Sequence, residues 1–66
     1  MITEISILSG AEAKSIRVGA NELVSAEVGK KKVVSITRPV DWYRVEYEGG
    51  IVQTFNPSFV AWQTEE

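Results

Sequence analysis

Tyr43 to Phe55 constrains this chain more than any other stretch, because apolar and polar side chains alternate on both sides of a Gly pair. A period of two is the signature of a half-buried strand, and Gly49-Gly50 marks the turn of a β-hairpin. A three-residue loop, Glu48-Gly49-Gly50, sets Tyr47 opposite Ile51. Tyr43, Val45, Tyr47, Ile51, Gln53 and Phe55 then share one face, and Arg44, Glu46 and Glu48 the other. A two-residue Gly-Gly turn would move Ile51 and Phe55 to the charged face, so the longer loop, with a Gly in the left-handed region, is expected.

Sixty-six residues make one domain, 1–66, and a chain this short buries only about 60% of its unfolded surface. There is no Cys and no His, which leaves no disulfide, no thiolate chemistry, and neither the commonest metal ligand nor the commonest base near neutral pH. Self-association is the remaining way to extend the core, and Phe59 and Trp62 are the residues expected to do so. The hydrophobic share of 44% with net charge −2 is that of a folding chain. No apolar run approaches a membrane span, and Met1-Ile2-Thr3-Glu4 lacks the basic start of a signal peptide. A cytoplasmic location is expected, and the small size suits a phage or mobile-element product.

The rest of the chain also reads as short strands. Ile5 and Ile7 alternate with Glu4 and Ser6 up to Ser9-Gly10; a wide loop and a short strand at 15–18 follow. Residues 20–28 admit helix or strand, and β-branched Val24 and Val28 favour strand. Looping Lys30, Lys31 and Lys32 would set Val28 opposite Val34 and Ala26 opposite Ile36. Pro39 should stop the ladder near Arg38. Asn56-Pro57 signals a turn with one 3₁₀ turn, before a closing strand at 60–63 and a frayed end from Thr64. The expected core is Ile5, Ile7, Val24, Val28, Val34, Ile36, Val45, Tyr47, Ile51 and Phe55.

Five strands with tight later hairpins and a 3₁₀ turn before the last strand resemble the SH3-like barrel, all-β and partly open. The resemblance spans roughly Val24 to Trp62 and is architectural; the Ala-Leu-Tyr-Asp-Tyr start and paired Trp of signalling SH3 domains are absent. Val52-Gln53-Thr54-Phe55, after Gly49-Gly50 and before Pro57, is similar to the Val-Gln-Ile-Tyr strand of the type II dihydrofolate reductases. Those are small SH3-like chains that assemble as tetramers around one pore. The resemblance implies a pore lined by Gln53, Thr54 and Phe55, yet Thr54 stands in place of Ile and Phe55 lacks the Tyr hydroxyl.

No nucleophile with a base, phosphate-binding Gly loop or metal spacing occurs, so no catalytic residue and no cofactor is assigned. Glu46 and Glu48 beside Arg44 read as a solvated, charge-balanced face. Trp42 differs from the other aromatics, since alternation puts it with Arg44 opposite Tyr43. Trp and Arg dominate binding hot spots, so Arg38, Trp42 and Arg44 form the candidate partner-binding surface. The favoured function is a non-enzymatic protein-binding module, an adaptor or inhibitor acting on a partner or on its own copy. The alternative is a nucleic-acid-binding barrel using Lys30, Lys31, Lys32, Arg38 and Arg44 with Trp42 stacking, which net acidity disfavours. The reductase reading comes third.

Overall fold

A computed structural model describes residues 1–66 as an all-β fold of seven strands, two more than the five expected. These are β1 (Ile2–Ser9), β2 (Glu12–Arg17), β3 (Asn21–Ser25), β4 (Gly29–Thr37), β5 (Tyr43–Tyr47), β6 (Val52–Phe55) and β7 (Val60–Glu65). A single 3₁₀ turn, Pro57–Phe59, precedes β7. It starts at Asn56, whose side-chain oxygen accepts from the Ser58 amide at 3.0 Å. The sheet runs β2-β1-β4-β5-β6, with β3 added to β4 and β7 to β1, all antiparallel.

The β5–β6 hairpin forms as the alternation demands. Tyr47 donates its amide to the Ile51 carbonyl at 2.8 Å around the Glu48-Gly49-Gly50 loop, and both glycines take positive φ, 85° and 79°. Only Gly adopts that conformation twice in succession at low cost. Tyr43, Val45 and Tyr47 are buried, and Ile51 and Phe55 pack partly buried against them.

Two expected loops are strands instead. Between β1 and β2 the connection is a tight turn at Gly10-Ala11, with Ser9 paired to Glu12, where a wide loop was expected. Gly10 takes φ 63°, which closes the turn at once and carries Ile16 into the core. The second correction concerns the lysines. Residues 20–28 are strand only over Asn21–Ser25; Ala26-Glu27-Val28 form the turn, where the Ser25 hydroxyl accepts from the Val28 amide at 3.1 Å. Gly29, at φ 81°, turns the chain straight into β4. Lys30, Lys31 and Lys32 therefore lie in a strand, paired with Leu23, Glu22 and Asn21.

That earlier turn leaves Val28 exposed rather than in the core. Val34 is exposed too, for a separate reason. Val33 pairs with Tyr47 but Ser35 pairs with Glu46, so Val34 is an extra residue bulged out of the ladder. The bulge lets Val33 and Ile36, three apart, both face inward, where strict alternation would have paired Val34 with Ile36. Ile5, Ile7, Ile16, Val33, Ile36, Tyr43, Val45 and Tyr47 make the core, with Val24 partly buried against it.

β2 and β3 act as two halves of one bent run. The Val18 amide still donates to Thr3 on β1, whereas Gly19 and Ala20 already exchange bonds with Val33 on β4. The bend curls the sheet over its core, and two side-chain bridges span the open side. Tyr43 donates to Gln63 of β7, and Gln53 of β6 donates to the Val24 carbonyl of β3 at 3.0 Å while accepting from Tyr47 at 2.7 Å. β7 extends to Glu65 rather than fraying at Thr64, because Glu4 pairs with Thr64 and Ile2 with Glu65.

Candidate interaction surface

β4 ends at Thr37, two residues before Pro39, as a residue without an amide donor requires. The crossing to β5 is Arg38-Pro39-Val40-Asp41-Trp42. Val40 takes φ 65° there and is 90% exposed. A β-branched residue in the left-handed region is a backbone outlier, and this one has no burial to offset the strain. Trp42, two residues on, leaves half its surface in water.

The Arg38 guanidinium lies 4.9 Å from the centre of the Tyr43 ring and donates to the Tyr43 hydroxyl at 3.3 Å. Tyr43 in turn donates to Gln63, so a chain of contacts ties the loop to β7. Arg44 stands opposite Thr37 in the β4–β5 register and faces outward, 3.9 Å from Glu46. The exposure of that pair makes it energetically slight. Arg38 and Arg44 thus lie on opposite sides of β5 and flank Trp42 rather than converge on it.

An open cleft of about 420 Å³ adjoins the loop, lined by Met1, Ile2, Ser35, Ile36, Thr37 and Arg38. Ile2 and Ile36 are register partners, which puts the start of β1 beside the end of β4. Nothing local in the sequence marks this cleft, because its walls lie more than thirty residues apart along the chain.

The three lysines line a separate cleft of about 270 Å³ with Asn21, Glu48 and Gly49 and no apolar residue. As neighbours in a strand they alternate sides, and Lys31 is paired opposite Glu22. They do not form a single cationic row. Of Gln53, Thr54 and Phe55, the first and third share a face and line a cleft of about 200 Å³ with Ile7, Ile16, Leu23 and Val24, while Thr54 lies on the other face. Gln53 is engaged with Tyr47 and Val24, Phe55 packs partly buried against the core, and Thr54 is exposed opposite Arg44.

Tyr47 is buried in the core, with its hydroxyl donating to Gln53. Burial, and secondarily the charge of Glu22, push its pKa above the ordinary 10.0. No group of three or more acidic, His or Cys side chains gathers at metal-binding distance, and no helix is long and apolar enough to cross a membrane. No family model, curated protein or solved structure matches this chain.

Proposed function

We propose that the chain is a small non-enzymatic protein-binding module, built as a partly open SH3-like barrel, that presents the Arg38–Trp42 loop to a protein partner. The carrying observation is Val40: a β-branched residue left-handed and 90% exposed, two positions from a half-exposed Trp. Strained backbone persists where the surroundings hold it, and it concentrates at ligand-contacting loops. Here the Arg38–Tyr43–Gln63 chain does the holding. A loop fixed before binding loses little entropy on binding.

Trp42 supplies the apolar anchor, the cleft beside Arg38 takes a second apolar side chain, and Arg44, on the outer side of β5, selects a partner with a carboxylate nearby. Retention of proteins from a host lysate on immobilised wild type and Trp42→Ala tests this. The wild type should hold a partner that the variant releases, and identical retained sets would refute the reading. A nucleic-acid role is the second reading, favoured by the wholly polar cleft around Lys30, Lys31 and Lys32. It requires affinity for single-stranded DNA or RNA that falls steeply with salt.

A further inference from the structure

The outer face of the three strands β2, β1 and β7 is divided in two. Ile5 and Ile7 point into the core, so Glu4, Ser6 and Leu8 of β1 point outward. Register places Glu4 beside Arg17 and Thr64, Ser6 beside Ser15 and Trp62, and Leu8 beside Ala13. One end is polar, where Arg17 and Glu4 pair at 3.6 Å. The other end is apolar: Leu8 is 47%, Trp62 50% and Phe59 56% exposed. Phe59 sits on the 3₁₀ turn beside β1, its backbone N–H donating a hydrogen bond to the Asn56 carbonyl at 2.9 Å. Ser6, although outward, is only 2% exposed, and of its two register neighbours only Trp62 is large enough to roof it. Trp62, beside Ser6 in the register, leaves half its surface in solvent.

We propose that this face is the contact between two copies of the chain, related by a two-fold axis. Three features select a second copy. The charged groups on the face, Glu4 and Arg17, sum to zero on a chain of net charge −2, so two copies meet here without the repulsion felt elsewhere. A two-fold contact sets each residue against its reciprocal partner, and adjacent opposite charges serve that self-complementarity. The area also fits. About half of each of two aromatics and a Leu gives roughly 300 Å² of apolar surface per copy, and the surrounding Ala13, Ser15 and Thr64 bring this to about 500 Å². The total of about 1,000 Å² is at the lower limit of specific interfaces and predicts a weak, reversible dimer. Trp42 is not part of this face, so a dimer carries two copies of its loop.

Sedimentation equilibrium from about 1 to 500 µM tests the proposal. The wild type should fit a monomer–dimer equilibrium with a dissociation constant on the order of 10–100 µM. Trp62→Lys should weaken it at least about tenfold with an unchanged far-ultraviolet spectrum. Phe59→Lys, outside the sheet, should do the same and carries the test if the Trp62 variant fails to fold. Trp42→Ala should dimerise as the wild type does, which separates this contact from the proposed partner surface. A wild type monomeric throughout, or a folded Phe59→Lys that dimerises normally, would overturn the proposal.

Discussion

Replacing Val40 by Asn should stabilise the protein. A left-handed conformation costs an L-residue about 1–2 kcal/mol, and β-branching places Val at the costly end. Asn adopts the conformation readily through its short polar side chain. Because Val40 is 90% exposed at φ 65°, the exchange forfeits almost no packing. The net gain is about 1 kcal/mol, and in a domain of this size that corresponds to a rise of roughly 4–8 °C in melting temperature. Gly should gain less, since the strain it relieves is partly offset by a freer unfolded chain. Thermal melts with urea titrations at fixed protein concentration give both quantities, and the urea slope should not change. Partner affinity should move the opposite way for Val40→Gly, whose loop is no longer fixed before binding. Equal or lower melting temperatures for both variants would refute the strain argument.

The bulge in β4 makes two adjacent valines unequal: Val33→Ala should cost about 2–3 kcal/mol from two buried methyl groups and their cavity, whereas Val34→Ala should cost less than about 0.5 kcal/mol. Urea melts of the pair check it, and equal losses would remove the bulge. Stability should also fall in strong alkali. The raised pKa of Tyr47 means that the folded protein binds its proton more tightly than the unfolded chain does. Its contribution is complete below the ordinary value of 10.0 and is lost as pH climbs through the higher folded value. Tyr47→Phe should flatten that alkaline decline while lowering stability at neutral pH, because Gln53 loses its donor.

Local signals carried the β5–β6 hairpin, the stop at Pro39 and the 3₁₀ turn at Pro57, since each depends on residues a few positions apart. The β3–β4 hairpin depended on more. Both the lysine loop and the Ala26–Val28 turn are locally acceptable, and the choice rests on distant bonds such as the Glu48 amide to the Lys32 carbonyl. Val34 shows the same limit, because a bulge is fixed by the partner strand and leaves no mark on the β-branched run that contains it. At the candidate surface, alternation gave the exposure of Trp42. It could not give the left-handed Val40, since Pro restricts the residue before it and not the one after. Nor could it give the cleft that joins Ile2 to Ile36, or the placement of Arg38 against Tyr43.

Trp42→Ala, assayed on one preparation by thermal melt and by partner retention, tests the central claim most directly. With half of Trp42 in water, the substitution should cost no more than about 1 kcal/mol, a shift of a few degrees, and should abolish retention of the partner. A loss of about 3 kcal/mol or more, as for a buried aromatic, with the partner still retained by the folded fraction, would make Trp42 a cap on the sheet and contradict the account.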